Sequence, residues 1–157
     1  MTTFGVQLRN QRDPQRGFTL VELLLTLTIL GILATVAVPS FVDIIKKQKV
    51  KDMGTEIQLA LVKARSEAIK QNDNVTLAPV TANDWTSGWR ISGASPETRS
   101  PFTGVAIAGP TNVVYQSSGR IAGSISPAFD ISAPNSNVHQ CVSVDLSGRP
   151  YVKAAAC

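Results

Sequence analysis

The sequence predicts an α+β protein in which one long N-terminal helix is packed on a small antiparallel β domain. Two observations support this fold class. An apolar run near the N-terminus is followed by apolar residues at steps of three and four, as in an amphipathic helix. From residue 75 onward, short β-like runs alternate with Gly, Pro, Ser and Asn, which favour turns. The length of 157 residues leaves room for about one domain.

The first half of the predicted helix, residues 18–38, is an apolar run of 21 residues with one charge, Glu22. At about 1.5 Å per residue it is about 30 Å long, which matches the hydrocarbon core of a bilayer. It is longer than the apolar region of a secretory signal, about 7–15 residues. A conventional signal cleaved after Ala37 is the alternative, although such a signal has no use for an acid at Glu22.

Basic residues flank this run on both sides, and their seven positive charges exceed the net charge of +4. They are Arg9, Arg12 and Arg16 before the run, and Lys46, Lys47, Lys49 and Lys51 after it. Because both flanks are basic, charge does not set the orientation in a membrane. The lysine cluster is either a binding site for anionic lipid head groups or a solvated face just outside the membrane. Elsewhere the charges nearly balance, so net charge does not indicate nucleic acid.

The second half of the helix has one apolar stripe that is expected to face the core as far as Ile69. The stripe consists of Val50, Met53, Ile57, Leu61, Ala64 and Ala68. Lys63 and Glu67 are spaced for a favourable ion pair on this helix. Pro39 removes a backbone donor and predicts a kink between the two halves. Residues 72–74, Asn-Asp-Asn, are expected to end the helix.

The C-terminal half is predicted to contain seven short strands. They are residues 75–78, 88–91, 105–108, 113–116, 128–131, 141–145 and 150–153. Ser147 and Gly148 are expected to form the turn before the last strand. Pro150 suits only an edge strand or the beginning of a strand, because it has no N–H to donate.

The letters RGFTLVEL at residues 16–23 carry the most specific motif of the chain. They resemble the class III signal of type IV pilins and type II secretion pseudopilins. The resemblance implies that residues 1–17 are a cytoplasmic leader, which a prepilin peptidase removes between Gly17 and Phe18 before methylating the Phe18 amine. Glu22 is then the fifth residue of the mature chain, and its implied partner is the Phe18 amine of a neighbouring subunit. A shallow Glu22 that snorkels to the interface is the alternative.

Three further motifs resemble the head of GspH/FimT-type minor pilins and pseudopilins, of which FimU is one. They are the letters ARSEA at residues 64–68, Asp84-Trp85 with Gly88-Trp89, and VDLSGR at residues 144–149. The resemblance implies the type IV pilin fold: residues 18–38 as the transmembrane half of the helix, 39–72 as its amphipathic half and 73–157 as the β-rich head. We expect Trp85 and Trp89 to pack in the core or the hairpin rather than to stack on a ligand.

The two cysteines, Cys141 and Cys157, enclose fifteen residues near the C-terminus. In a head exported from the cytoplasm they are expected to form a disulfide, worth about 3 kcal/mol in the chain-entropy model. The alternative is a pair of free thiols in a reducing compartment. Pilin heads often close their last segment with such a bond.

No catalytic motif accompanies the single histidine, His139, so an enzyme is not expected. We expect His139 to be a surface residue in an Asn- and Ser-rich loop, and we expect neither a cofactor nor a metal ion. Asp130 and Asp145 are the candidate carboxylate partners of His139 in a catalytic site, but their spacing in the sequence matches no catalytic motif.

Three functions follow from the resemblance. The first is a minor pilin of a type IV pilus that primes or joins assembly, for twitching motility, adhesion or DNA uptake. The second is a GspH-type pseudopilin of the type II secretion system. The third is a DNA-binding minor pilin for natural transformation: FimT-like receptors carry Gly-Arg-any-Arg, and here Gly148-Arg149 is followed by Tyr151 in place of the second Arg and by Lys153. So few cations predict weak, salt-sensitive DNA binding.

The implied partners are other major and minor pilins, an inner-membrane assembly platform, the prepilin peptidase and the membrane itself. The implied location is the inner membrane, crossed once with the head in the periplasm, and then the pilus filament.

Overall fold

The computed structural model describes residues 17–93 and 96–157, and the predicted leader lies outside these residues except for Gly17. The chain divides into two units, Met1–Pro39 and Ser40–Cys157. Helix α1, Leu20–Gln71, begins in the first unit and ends in the second. Its bounds agree with the helix predicted from the apolar run and the stripe that follows it.

The described part of the first unit is the N-terminal segment of α1. Thr19 begins the helix: its Oγ1 accepts a hydrogen bond of 3.2 Å from the Glu22 N–H, as at the Ncap position of a capping box. Further along, the hydroxyls of Thr26, Thr28 and Thr35 donate to helix carbonyl oxygens at 2.7–2.8 Å. These three hydroxyls are therefore satisfied within the helix itself.

In the second unit, α1 packs its apolar stripe on the β-strands. All six predicted stripe residues are buried, together with Ala60. Ile69 is the exception to the prediction, since 52% of it is exposed. The helix ends as expected, because Asn72 adopts a left-handed conformation with φ of 51° and the N–H of Asp73 donates to the Ala68 carbonyl oxygen.

Eight strands follow the helix in the described residues. They are β1 Val75–Thr81, β2 Asp84–Ile91, β3 Glu97–Thr98, β4 Ala106–Ala108, β5 Val113–Tyr115, β6 Ala128–Ser132, β7 His139–Val144 and β8 Pro150–Lys153. All seven predicted strands are present, and the two-residue β3 is additional. The strands form two antiparallel sheets, ordered β3-β2-β1-β5 and β4-β6-β7-β8. As predicted, Pro150 begins an edge strand.

Aromatic side chains fill much of the core beneath the helix. The rings of Trp85 on β2 and Phe129 on β6 meet edge to face, with centroids 4.8 Å apart, and this contact joins the two sheets. Trp85 Nε1 donates to the Pro110 carbonyl oxygen at 2.8 Å, so its polar atom is satisfied. Trp89 stacks on Phe102 at 5.2 Å. Both tryptophans are buried, which confirms the expectation that they pack in the core.

Candidate functional sites

The segment around Gly17 and Phe18 precedes the first helical turn and is exposed. Residues 17–19 have no regular secondary structure, and Phe18 is 76% exposed. Around Gly17, the position that a Cβ would occupy has no neighbouring atom within 4 Å. The peptide bond between the two residues therefore lies in an exposed stretch without regular secondary structure. Cleavage at this bond stays a prediction.

Glu22 lies in the first turn of α1, where the partial positive charge of the helix N-terminus favours an acid. Its side chain is exposed and makes no ion pair with another residue of the described ranges. The capping role of Thr19 three residues earlier was not predicted. The signal for it was available, since Thr-x-x-Glu is the sequence pattern of a capping box.

The first unit exposes its large apolar side chains on all sides of the helix. They are Phe18, Leu20, Val21, Leu23, Leu24, Leu25, Leu27, Ile29, Leu30, Ile32, Leu33 and Val38, each about half exposed or more. Within residues 17–93 and 96–157, no single helix meets the length and hydropathy expected of a membrane span, whereas the segments Leu20–Thr35 and Ser40–Gln71 do so when taken together. Pro39 lies within α1 at the division between the units, and the kink there stays a prediction.

The C-terminus is attached to the outer face of the second sheet. Cys141 on β7 forms the expected disulfide with Cys157. The Cys157 N–H also donates to Asp130 Oδ1 on β6 at 3.4 Å. Asp130 accepts in addition from His139 Nδ1, at 3.1 and 3.3 Å from its two oxygens. The disulfide and these contacts together hold the tail against β6 and β7.

His139 differs from the expectation of a surface loop residue. It is the first residue of β7, and 33% of its side chain is exposed. The pairing of β7 with β6 brings it beside Asp130, which the local polar composition did not indicate. No group of three His, Cys, Asp or Glu side chains in the described ranges is placed to hold a metal ion.

The turn between β7 and β8 is organised by Asp145. Its Oδ1 accepts hydrogen bonds from Ser147 Oγ at 2.6 Å and from the Arg149 N–H at 2.9 Å. The Ser147 hydroxyl, followed by the Arg149 amide, lowers the pKa of the Asp145 carboxyl below its ordinary value. Gly148 completes the turn with φ of 84°. This confirms the predicted turn at Ser147 and Gly148.

Arg149, Tyr151 and Lys153 are all exposed at the edge formed by β8. Tyr151 and Lys153 share one face of the strand, and Lys153 Nζ lies 5.5 Å from the centre of the Tyr151 ring. The opposite face carries Val152, which packs against the core. The structure thus brings the suggested DNA-binding residues together on one exposed edge.

Arg65, part of the ARSEA motif, received no role from the sequence. In the structure it is half-buried, with its Nε 3.0 Å from the Gly119 carbonyl oxygen and one terminal nitrogen 3.2 Å from that of Ser147. It therefore joins α1 to two turns that are distant in sequence. Its position between the buried Ala64 and Ala68 was the available signal, because an arginine at the border of a buried stripe needs a partner.

A second set of charges lies between α1 and the first sheet. Lys63 pairs with Glu97 on β3 rather than with Glu67, so the predicted pair on the helix is wrong. Glu67 is 3.7 Å from Lys70 instead. Arg99 contacts Glu56 at 3.1 Å. Both cross-element pairs are exposed, where ion pairs contribute about 0–1 kcal/mol.

The long helix on an antiparallel head, preceded by an exposed segment, defines a subunit of the type IV pilin class. Residues 12–38 match the prokaryotic N-terminal methylation motif. Residues 54–148, more than half of the chain, match the family described as type II transport protein GspH. The chain belongs to this GspH/FimT family of type IV pilin-like proteins, whose fold is that of structural subunits. The matched methylation motif indicates membrane anchoring.

Relatives with similar sequences include major pilins. The chain is 32% identical over 87 residues to the type IV major pilin protein PilA of Myxococcus xanthus, an alignment that covers 51% of this chain and 38% of PilA. It is 42% identical over 45 residues to the type IV major alpha-pilin of Moraxella bovis, covering 29% and 28% of the two chains. The chain thus spans well under half the length of these relatives.

Crystal structures of the type IV minor pilin FimU of Pseudomonas aeruginosa share the fold. In space group P65 the TM-score is 0.59 at 20% identity, covering 66% of this chain and 91% of FimU. In space group P21 the TM-score is 0.62 at 18% identity, covering 69% and 90%. At these identities the likeness concerns the fold alone.

Proposed function

We propose that this chain is a minor pilin, a subunit of a type IV pilus that primes or joins pilus assembly. The observation that carries the proposal is the apolar surface exposed all around the first unit. A soluble monomer rarely exposes so large an apolar surface, and contact with lipid or with other helices covers it. The membership of the GspH/FimT family supports the same conclusion.

Before assembly, we propose that the lipid of the inner membrane covers the exposed apolar surface of the first unit. Phe18 follows the proposed cleavage site, so peptidase action turns its amide nitrogen into a free cationic amine. Residues 18–38 then cross the bilayer, and the threonine hydroxyls inside the segment are already bonded to the helix backbone. The head is displayed in the periplasm, where the Cys141–Cys157 disulfide persists.

In the filament, we propose that the apolar helices of other major and minor pilins cover this surface. The inner-membrane assembly platform brings these subunits together. Glu22 at the centre of a bilayer would cost about 2.5–3.5 kcal/mol. An ion pair with the Phe18 amine of a neighbouring subunit offsets this cost and sets the axial register between subunits. Thr19 holds the Glu22 backbone at the helix start, which fixes where the carboxylate projects.

The test is the amount of major pilin sheared from cells that lack this gene. We expect piliation to fall and to be restored by the intact gene but not by a Glu22→Ala variant. Glu97→Ala is the matched control, because it removes one exposed carboxylate from the head, and it should restore piliation. Immunoblots confirm equal amounts of each variant. Normal piliation without the gene would refute the minor-pilin role.

Processing at Gly17 is tested separately by mass spectrometry of the chain from the membrane. We expect the mature protein to begin at a methylated Phe18. A Gly17→Trp variant should accumulate uncleaved, because a bulky side chain obstructs the extended backbone in a protease cleft. Cleavage elsewhere in the wild-type chain, such as after Ala37, would overturn the assignment of the leader.

A pseudopilin of type II secretion is the second candidate function, and the matched family description favours it. In that case the same helix and head join a secretion machine. Loss of the gene would then abolish export of secreted proteins while piliation stays normal. Neighbouring secretion genes rather than pilus genes would support the same outcome.

DNA capture is a third candidate, favoured by the exposure of Arg149, Tyr151 and Lys153 on one edge. Arg149 and Lys153 would contact phosphates, and Tyr151 would stack on a base of single-stranded DNA. A gel shift at low salt with the detergent-solubilised chain tests this. Arg149→Ala should weaken the shift and the exposed Arg90→Ala should not. The absence of any shift would remove this candidate.

A further inference from the structure

A groove of about 490 Å³ lies beside α1 in the second unit, between the helix and the start of β7. Its polar lining consists of Lys47 and Lys51 from the helix, with Asn137, His139 and Gln140 from the other side. Two of these residues are cations, and no carboxylate is among the described residues that line it. The pilus function proposed above makes no use of this groove.

The two lysines lie one helical turn apart on one row of α1, and both are exposed. Like charges at this spacing repel each other, so an anion placed between them is favourable. Three carboxylates near the groove could compete with an anion for the two lysines. Asp130 is bonded to His139 and to the tail, Asp52 accepts from Gln48 at 2.7 Å, and Asp43 lies one turn before Lys47 on the same row.

The position of the groove along the helix indicates where that anion comes from. Phe41, Val42, Ile44 and Ile45, which precede the lysines, are large apolar residues with 45–67% of their surface exposed. From Ser40, Lys47 is about 10 Å and Lys51 about 16 Å further along the helix. The head-group region is about 5–8 Å thick on each side of the hydrocarbon core. A lysine reaches back several Å with its long side chain, which brings the ammonium group of Lys47 to the level of the lipid phosphates and that of Lys51 to just outside that level, facing the head groups.

We propose that this groove, which we call the lysine groove, binds the phosphate of an anionic lipid head group at the membrane surface. The inference rests on the proposed membrane stage of a pilus subunit and goes beyond it. Lys47 and Lys51 supply the charge, while Asn137 supplies neutral hydrogen-bonding groups beside the head group. The head of the unassembled subunit is thereby held close to the bilayer, and this contact must break when the subunit is extracted.

The test measures how fast a water-soluble acylating reagent modifies each lysine of the full chain in nanodiscs. Nanodiscs of phosphatidylglycerol are compared with nanodiscs of phosphatidylcholine, and modification is followed peptide by peptide. We expect Lys47 and Lys51 to react about five-fold more slowly in phosphatidylglycerol, the factor expected for one lysine at an anionic surface. Lys70 and Lys153 are control lysines on the second unit, and their rates should not change.

Variants test whether charge drives the contact. Lys47→Gln with Lys51→Gln should abolish the enrichment of phosphatidylglycerol over phosphatidylcholine that co-purifies with the chain from mixed nanodiscs. Lys70→Gln with Lys153→Gln removes the same charge and should leave the enrichment intact. Asp43→Asn should increase it, because the variant removes an acid from the lysine row.

Each other outcome overturns the proposal in a distinguishable way. Equal rates in the two lipids, with the chain incorporated, would refute the lysine groove and leave the pilus function standing. Failure of the chain to enter nanodiscs would refute the membrane stage itself. If inorganic phosphate slows the acylation of Lys47 and Lys51 in phosphatidylcholine nanodiscs, the groove binds free phosphate instead of a lipid. If the acylation of these lysines slows only when other pilin subunits are added, the groove contacts another protein instead of a lipid.

Discussion

Arg65 on α1 donates a hydrogen bond of 3.0 Å from Nε to the carbonyl oxygen of Gly119. The same guanidinium donates to the carbonyl oxygen of Ser147, and the neighbouring glycines of these two turns, Gly119 and Gly148, are both buried. A Cβ on Gly148 would collide with the Gly119 carbonyl oxygen, so these two turns are in direct contact. One side chain of the helix therefore connects the turn after β5 with the turn after β7.

Removing this connection should destabilise the head. We expect Arg65→Ala to lower the free energy of unfolding by about 1.5–3 kcal/mol, because it deletes a half-buried charged donor and leaves two carbonyl oxygens without it. Arg65→Lys should recover little of the lost stability, since an ammonium group lacks the planar set of N–H donors with which the guanidinium reaches both carbonyl oxygens. Denaturant unfolding followed by fluorescence of the buried Trp85 and Trp89 measures the change. Arg90→Ala, an exposed arginine on β2, is the control and should change stability by less than about 0.5 kcal/mol.

The disulfide should stabilise the head through the loop that it closes. Cys141 and Cys157 are separated by 16 positions. We expect Cys157→Ser to lower the free energy of unfolding by about 3 kcal/mol, because the unfolded chain regains the freedom that the bond removes. Thermal unfolding with and without a reducing agent provides the comparison. A wild-type chain whose melting temperature is unaffected by reduction would contradict this account.

Asp145 should make stability depend on acid pH. Its pKa is lower in the folded head than its ordinary value, so the folded state favours the ionised carboxylate. The stabilisation is therefore present above about pH 4 and is lost as the pH falls through the folded pKa. Ser147→Ala removes the main cause and should raise the pKa of Asp145 toward its ordinary value. An NMR titration of the carboxyl carbon measures this, and an unchanged pKa in the variant would refute the assigned cause.

Periodicity predicted the part of the fold that local sequence controls. The burial of Val50, Ile57 and Leu61 follows from their spacing, because a helix has to cover its apolar stripe whatever partner it meets. Strand positions were predictable for the same reason, since alternation and turn residues are local features. The helix end at Asn72 follows from a residue type that tolerates a left-handed conformation.

Contacts between distant elements were not predictable in this way. Lys63 pairs with Glu97, although spacing favoured Glu67, because the β2–β3 hairpin brings a second acid to the same helix face. His139 becomes half-buried because strand pairing aligns Ser132 with it and brings Asp130 within reach. The division into two sheets leaves no periodic trace in the sequence, and the border position of Arg65 indicates that it needs a partner but not which turns supply one.

Gly148 should tolerate no side chain. Its φ of 84° is unfavourable for any residue with a Cβ, at a cost of about 1–2 kcal/mol. The added methyl would also collide with the backbone of Gly119, which cannot move without disturbing the Arg65 contacts. We expect Gly148→Ala to lower the free energy of unfolding by more than about 2 kcal/mol. Chemical denaturation of the variant checks this, and a loss below 1 kcal/mol would show that the two turns separate easily.

Gly54 should respond to the same substitution with the opposite sign. It lies inside α1, where alanine is favoured over glycine by about 0.5–1 kcal/mol. The atoms that a Cβ would meet belong to the end of the Gln140 side chain, which is flexible and can swing away. Gln140 Oε1 makes no hydrogen bond with the described residues, so the movement breaks none at that atom. We therefore expect Gly54→Ala to raise the free energy of unfolding by up to about 1 kcal/mol. A decrease in the same denaturation experiment would mean that the close approach of Gln140 to the helix itself stabilises the head.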